Sequence, residues 1–193
     1  MKFRLFTLSV GLLFILSNCT QKANSAQKTD TVMEEGTRLE ITVDYEKQSG
    51  RGSNQFAVWI ENNEGVLVRT LFVTKFTAEG GYDYRPDCMP LWVSKANPQT
   101  HTTKQIDAYT GATPKSGPQV YIWDLKDDNG KAVTPGEYTF VVQGTLLGPS
   151  QVIYKNNFRI GNEELSINTA PEYSTDDTAN RGMIRSVHAR YIP

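Results

Sequence analysis

Apolar and polar residues alternate along several stretches of the chain, beginning with Arg38 to Tyr45. Apolar side chains there occupy every second position, which is the period of a strand with one buried face. The stretch from Phe56 to Ile60 repeats this pattern, and Asn62 to Gly65 then supplies turn-forming residues before another apolar run, Val66 to Phe72. The two runs and the turn between them predict a β-hairpin.

Further strands are predicted downstream, separated by turn-forming segments such as Asp127 to Gly130 and Leu147 to Ser150. No stretch after the N-terminal segment keeps a helical period. Strands at this spacing favour an all-β protein whose two sheets pack as a sandwich. The additional predicted strands are Gln119 to Trp123, Glu137 to Gly144, Val152 to Ile160 and Arg185 to Tyr191.

Two regions do not follow this pattern. Thr77 to Pro118 is rich in Gly, Pro, Asn and Thr, and it is too long for an ordinary connection between strands. We therefore expect a long loop inserted into the sandwich, of the kind that often carries function. Asn162 to Gly182 is polar, and we expect an irregular excursion there before the final strand.

The first residues have the features of an export signal. Lys2 and Arg4 precede an apolar stretch from Leu5 to Leu16. A transmembrane helix needs about 20 apolar residues, so the stretch fits a secretory signal peptide over residues 1–18 better than a membrane anchor. We exclude this segment from the prediction of the fold.

The signal ends in the sequence LSNC, residues 16–19, which resembles the lipobox of bacterial lipoproteins. The resemblance implies that Cys19 becomes the first residue of the mature protein and carries a lipid that anchors it to a membrane. Asn18 departs from the usual Gly, Ala or Ser, and an ordinary signal cleaved between Asn18 and Ala26 is the alternative. Residues 19–36 are mostly polar and indicate a flexible tether, which leaves residues 37–193 for a folded domain in the periplasm or cell envelope.

The cysteine content and the charge narrow the possibilities further. The chain has two cysteines, and if Cys19 carries lipid then Cys88 has no partner within the chain, so stability depends on a hydrophobic core. Removal of the signal takes away Lys2 and Arg4 and no acidic residue, which changes the formal net charge from −1 to −3. A mildly acidic protein lacks the basic surface of a nucleic-acid-binding protein, so we expect no nucleic-acid partner.

No arrangement of residues predicts an independent catalytic centre or a metal site. The histidines are His101 and His188, and neither has a Cys, His or carboxylate at the spacing of metal ligands. We interpret both as solvated, and neither lies near a Ser or Cys nucleophile in a known motif. Asp124 to Asn129 offers oxygen ligands for calcium, but its spacing differs from that of an EF-hand loop, so a structural turn is favoured.

The sequence WDLKDDNGKAVTPGEY, residues 123–138, resembles the immunoglobulin-like repeat of the flagellar hook-capping protein and of many secreted bacterial proteins. In that repeat an Asn-Gly or Asp-Gly pair forms a tight turn, and Pro-Gly starts the next strand. The resemblance implies an immunoglobulin-like β-sandwich, here with a long loop insertion over residues 77–118.

The sequence DAYTGAT, residues 107–113, resembles the flavinylation motif of extracytoplasmic redox subunits: Asp, two free positions, Thr or Ser, Gly, Ala, and Thr or Ser. The resemblance implies that a flavin transferase joins the phosphate of FMN to the hydroxyl of Thr113. An acceptor hydroxyl must enter the active site of another enzyme, so we expect it on an accessible loop. The alternative is a polar turn that leads into the strand at Gln119. The other motif positions are Asp107, Thr110, Gly111 and Ala112.

A wider resemblance supports this interpretation. Residues 56–62, 67–73, 86–92, 107–113 and 123–138 occur in the same order as in a bacterial family of predicted periplasmic proteins of unknown function. Members of that family look like partners of membrane-bound PepSY-type reductases and flavin transferases. The resemblance therefore implies an electron carrier without independent catalytic activity.

If FMN is attached to Thr113, aromatic side chains are expected to shield its ring. For each candidate the alternative is packing in the core or within a loop. Trp59 and Trp123 lie on predicted strands and are expected in the core. The candidates by sequence proximity are Trp92, Tyr109, Tyr82 and Tyr84.

Two hypotheses follow from the sequence. The first is an extracytoplasmic lipoprotein that carries covalent FMN and exchanges electrons with a membrane-bound reductase. The second is a cofactor-free immunoglobulin-like module that binds a partner or has a structural role at the cell envelope, since such sandwiches serve many functions.

Overall fold

The computed structural model describes residues 36–49, 52–146, 149–176 and 182–193. The signal peptide, Cys19 and most of the tether therefore lie outside the described residues. The described chain is dominated by β-strands, and no helix in it is long and apolar enough to cross a membrane. The strands are β1 (Arg38–Tyr45), β2 (Gln55–Asn62), β3 (Leu67–Thr74), β4 (Thr110–Gly111), β5 (Gly117–Trp123), β6 (Glu137–Thr145), β7 (Gln151–Arg159), β8 (Leu165–Thr169), β9 (Pro171–Tyr173) and β10 (Ile184–Ile192).

The strands form two sheets, as the all-β prediction requires. One sheet is four-stranded in the order β5-β1-β10-β8, and the other is six-stranded in the order β4-β3-β2-β6-β7-β9. The predicted hairpin is confirmed as β2 and β3, which pair antiparallel. Strand β4 pairs with β3 in parallel, with Val73 opposite Thr110 and Thr74 opposite Gly111.

The main core lies between the two sheets. Strand β1 buries every second side chain, as its alternation predicts, because one face of the strand points to the other sheet. Trp123 on β5 is fully buried, and its ring centroid lies 5.4 Å from that of Tyr138 and 6.1 Å from that of Phe158, both on the other sheet. These contacts across the interior make a sandwich rather than two separate sheets.

The prediction of a long loop over Thr77 to Pro118 is wrong, because most of this region is helical. It folds into short helices that cover the outer face of the six-stranded sheet, where a second apolar cluster includes Trp59, Met89 and Trp92. This cover explains why β2 is buried on both faces. The segments are a π-helical turn (Thr77–Gly81), α1 (Tyr82–Tyr84), α2 (Pro90–Ala96), a 3-10 turn (Pro98–Thr100) and α3 (Thr103–Tyr109).

Polar contacts attach this helical layer to the sheet. The buried carboxylate of Glu61 accepts a hydrogen bond from Nε1 of Trp59 at 2.7 Å and forms an ion pair with Nζ of Lys95 at 2.9 Å. The indole of Trp92 donates to the hydroxyl of Thr70 at 3.2 Å. Because the buried polar atoms are paired, burying the outer face leaves few unsatisfied groups there.

The prediction of an irregular excursion over Asn162 to Gly182 is also wrong in part. Leu165–Thr169 forms β8, which pairs antiparallel with β10, and Pro171–Tyr173 forms β9, which pairs with β7. Both strands lie at the edges of their sheets, where most side chains face solvent. The alternation of Leu165 and Ile167, which pack against the main core, is a signal that could have predicted β8, whereas β9 has three residues and no distinct period.

Candidate functional site

The flavinylation-like motif spans the end of α3 and the edge strand β4. Helix α3 starts with a capping box, in which the hydroxyl of Thr102 accepts from the backbone N–H of Gln105 and the Gln105 side chain accepts from the backbone N–H of Thr102. Asp107 lies exposed in α3. The hydroxyl of Thr110 donates to the carbonyl of Ile106 at 2.6 Å, which caps the helix where the chain turns into β4.

Gly111 packs against the aromatic ring of Phe72 on β3. A Cβ atom at this position would lie 2.4 Å from Cε2 of Phe72, which is far inside van der Waals contact. The ring centroid of Phe72 lies 4.9 Å from that of Phe56 and 5.1 Å from that of Tyr121, so the ring has little room to move. The glycine of the motif therefore allows β4 to lie directly on the sandwich.

Thr113 lies in the connection between β4 and β5 and is half-buried. Its hydroxyl donates to the backbone carbonyl of Asn54 at 3.5 Å, at the long limit of a hydrogen bond. Asn54 is held in place because its side chain exchanges hydrogen bonds with the backbone of Gln48 at 2.8 and 2.9 Å. Ala112 is exposed. Thr113 thus lies beside a fixed part of the sheet edge, with its hydroxyl weakly bound.

Phe76, an exposed aromatic side chain, leaves the sheet at the same end as Thr113, and Tyr84 of α1 is exposed as well. Because β3 and β4 run parallel with Thr74 opposite Gly111, the residues that follow each strand leave the sheet together. Phe76, two residues after Thr74, is 42% exposed, and Tyr84 is 86% exposed. Large apolar groups with this much exposure are candidates for contact with a ligand or partner.

A cation lies close to this end of the sheet. The guanidinium of Arg85 donates to the hydroxyl of Ser53 at 3.1 Å and pairs with Asp87 at 3.2 Å. Ser53 directly precedes Asn54, whose carbonyl accepts from Thr113. Arg85 is therefore connected to the Thr113 hydroxyl through Ser53 and Asn54, and it is partly exposed.

The buried polar side chains that follow Asn54 on β2 and lie at the end of β3 have a structural role. The side-chain oxygen of Gln55 accepts from the hydroxyls of Thr74 and Thr77 at 2.5 and 2.9 Å. The hydroxyl of Thr77 lies 3.1 Å from Sγ of Cys88, which is a buried free thiol in the part of the chain that the structure describes. Burial raises the pKa of Cys88, and its hydrogen bond with Thr77 offsets this only in part. Such a thiol is a poor nucleophile at neutral pH.

The aromatic candidates separate into buried and exposed residues. Trp92 is fully buried and Tyr109 nearly so in the second apolar cluster, which is the packing role considered as their alternative. Tyr82 is half-buried, whereas Tyr84 is exposed. Trp59 and Trp123 are fully buried, as predicted. Tyr84 is thus the one of the four candidates that is exposed, and no pattern in the sequence pointed to Phe76.

His101 and His188 are interpreted as solvated from the sequence, but each is half-buried and has a side-chain hydrogen-bond partner. His101 is half-buried, and its Nδ1 lies 2.9 Å from the hydroxyl of Tyr109. His188 is half-buried as well, with Nε2 2.9 Å from the hydroxyl of Ser166. Neither pairing has a signal in the sequence, because each depends on how separate segments pack.

His101 also lines a cavity of about 340 Å³ between α3, β3 and the turn after β5. Asp128 on that turn accepts from the backbone N–H of Thr70 at 3.4 Å and lies 3.9 Å from Nε of Arg69. Burial raises the pKa of Asp128, although the Thr70 bond and Arg69 act in the opposite direction. The side chain remains 39% exposed, so solvent can still reach its carboxylate.

The turn that contains Asp128 has the structural role that the sequence favoured. The carboxylate of Asp127 accepts from the backbone N–H groups of Asn129 and Lys131, each at 2.9 Å. Gly130 has a φ of 75°, which a glycine adopts without strain. No group of three or more potential metal ligands occurs among the described residues.

Comparison with known proteins places these features in a family. The family DUF2271, described as predicted periplasmic protein, matches residues 36–172, which covers most of the chain and includes the whole motif. The chain belongs to this family. Its members have no established function, and the family description supports a periplasmic location. Neither the curated proteins nor the solved structures that were searched contain a match to the chain.

Proposed function

We propose that this member of the periplasmic family DUF2271 carries FMN covalently on Thr113 and acts as an electron carrier at the cell envelope. The observation that carries the proposal is the placement of the motif at the edge of the sheet. Thr113 is half-buried there, and its hydroxyl is held by one long hydrogen bond, 3.5 Å to Asn54. A hydroxyl in such a position can leave its partner at little cost.

The surrounding side chains fit the chemistry of FMN. The flavin ring is planar and largely apolar, Phe76 offers exposed aromatic surface at the same end of the sheet, and Tyr84 of α1 is exposed as well. The phosphate is anionic, and Arg85 offers a partly exposed guanidinium near Asn54. A bound flavin would supply the redox chemistry, and the chain would supply position and shielding.

Attachment requires an activated flavin donor. The bond to hydrogen at the Thr113 hydroxyl breaks, a bond from that oxygen to the FMN phosphate forms, and the proton goes to a base of the transferase. A flavin dinucleotide balances this step, because its nucleoside monophosphate half is the leaving group. Asp107 and Ala112 are exposed on either side of Gly111, so a transferase can contact the motif from outside.

The proposed partners follow from the resemblance described above. A flavin transferase would load the protein, and a PepSY-type membrane reductase would exchange electrons with it. Lipid on Cys19 would hold the carrier at the membrane beside the reductase, which raises their effective concentration. A covalent cofactor also suits the periplasm, because a flavin that dissociates there would diffuse away.

The proposal is tested by coexpression of the full chain with a flavin transferase. We expect an intact mass that exceeds the unmodified mass by one FMN less one water, together with in-gel flavin fluorescence. Thr113→Ala should lose both signals, whereas Thr113→Ser keeps the hydroxyl and should retain them. Membranes that contain the reductase, supplied with an electron donor such as a reduced nicotinamide nucleotide or a quinol, should then bleach the flavin absorbance of the loaded protein.

An unmodified mass under these conditions contradicts the flavin proposal. The protein would then be the cofactor-free binding or structural module of the second hypothesis. Modification that persists in Thr113→Ala would place the flavin on a different residue and contradict the assignment to Thr113.

A further inference from the structure

The cavity beside α3 is lined by Ala108 and Tyr109, the two free positions of the motif, but it lies apart from the proposed attachment residue Thr113. Its lining includes Thr70 of β3, whereas the motif pairs with β3 at Thr74. Four residues of strand at about 3.3 Å each separate these positions by roughly 13 Å. Neither Gly111 nor Thr113 lines the cavity. Its volume of about 340 Å³ is at the small end of the range for ligand pockets, which suits a ligand of about a dozen heavy atoms.

The walls of this cavity carry opposite charges. Lys104 lies on the α3 wall, is exposed, and has no hydrogen-bond or ion-pair partner among the residues that the structure describes. Asp128 lies on a different element, the turn after β5, and Arg69 of β3 also lines the cavity. The nearest cation to Asp128 is Arg69, at 3.9 Å, and the guanidinium of Arg69 also donates to the carbonyl of Asp127 at 2.9 Å. The ammonium and the carboxylate are both left with capacity to bind a ligand.

The wall next to Lys104 is preformed. The ring of Tyr109 packs edge-on against Trp92 and His101, with centroids 5.8 and 5.9 Å apart, and its hydroxyl is fixed by His101 at 2.9 Å. Ala108 adds a small apolar surface on the same helix. A rigid wall of this kind reduces the entropy lost when a ligand binds.

We propose that this cavity binds a free amino acid, with the ligand's carboxylate at Lys104 and its ammonium at Asp128. A simple anion would satisfy Lys104 and leave Asp128 with only its long ionic contact to Arg69 at 3.9 Å, and a simple amine would leave Lys104 without a partner in the described part of the chain. A zwitterion satisfies both walls at once, and its side chain can then lie against Tyr109 and Ala108. The volume excludes a longer peptide from the cavity.

Isothermal titration calorimetry of the purified full chain tests this proposal. The probes are L-alanine, L-glutamine, L-leucine and L-phenylalanine, each beside its N-acetyl derivative and its amide. We expect at least one free amino acid to bind, and we expect loss of either charge from it to weaken binding by about tenfold or more. Lys104→Gln and Asp128→Asn should each weaken binding by about tenfold as well.

Lys131→Gln is the matched control, because Lys131 lies on the same turn but does not line this cavity. It should bind the amino acid as the wild type does. Thr113→Ala should also bind normally, so this proposal and the flavin proposal fail independently. The proposal is overturned if none of the four amino acids binds, if the derivatives bind as well as the parent, or if Lys131→Gln weakens binding as much as Lys104→Gln.

Discussion

Replacement of Gly111 by alanine separates the structural role of this glycine from its place in the motif. The added Cβ would lie 2.4 Å from Cε2 of Phe72, whereas carbon atoms in contact lie about 3.5–4.0 Å apart. The ring of Phe72 must therefore shift by about 1 Å or more, toward Phe56, which is fully buried, and Tyr121. Overpacking of this kind costs about 1–3 kcal/mol.

Alanine also restricts the unfolded chain, which offsets about 0.4–1 kcal/mol of that cost. The net loss of stability is then about 1–2 kcal/mol, or a decrease in Tm of roughly 2–8 °C for a chain of this size. Urea and thermal unfolding, followed by tryptophan fluorescence, measure both quantities. Gly161→Ala is the control, because its Cβ would meet nothing within 4 Å, and it should gain about 0.4–1 kcal/mol from the unfolded-chain term alone.

A double-mutant cycle with Phe72→Leu tests whether the ring of Phe72 causes the loss of stability in Gly111→Ala. Leucine is smaller than phenylalanine, so Gly111→Ala should cost at least about 0.5 kcal/mol less in the Phe72→Leu background than in the wild type. An equal cost in both backgrounds, or no cost at all, would refute the argument that Gly111 is required by the ring of Phe72.

Three further predictions concern polar and titratable groups. Lys95→Gln should cost about 1–3 kcal/mol in urea unfolding, because Glu61 is only 8% exposed and would lose its cation; an unchanged midpoint contradicts this. Burial raises the pKa of Asp128 above its ordinary value of 3.8, so the folded state binds the carboxyl proton more tightly than the unfolded state does. The contribution of Asp128 to stability therefore decreases as the pH rises from 3.8 through the raised pKa of the folded state. Asp128→Asn should therefore gain stability relative to the wild type between acid and neutral pH, by a small amount, and a relative loss would contradict the sign. Cys88 is buried with a raised pKa, so a thiol reagent should modify it only after unfolding, and rapid labelling of the native protein would show that the site is open.

The sequence predicted the sandwich strands because half-buried strands have a simple period. Strand β1 alternates through its whole length, and the hairpin of β2 and β3 has both its apolar runs and its turn. The helices were missed because α2 and α3 have seven residues each, which is too short for a helical period to be distinct. Thr102 followed by Gln105 three residues later is a helix-start signal, and it could have predicted α3.

The candidate site was predictable only as a set of motif residues. The motif gave Thr113 as the acceptor, but its contact with Asn54 joins residues 59 positions apart, which no local pattern encodes. The same holds for the packing of Phe72 under Gly111 and for the link between Arg85 and Ser53. Such contacts are set by strand order and by the position of the helical layer.

Mapping of one tryptic peptide tests the central claim most directly. Cleavage after Lys104 and Lys115 releases residues 105–115, which contain the whole motif and two threonines, Thr110 and Thr113. For protein isolated from membranes that contain a flavin transferase, we predict fragment ions that carry FMN on Thr113 and an unmodified Thr110, whose hydroxyl is engaged with Ile106 at 2.6 Å. An unmodified peptide, or FMN on Thr110, would contradict the account.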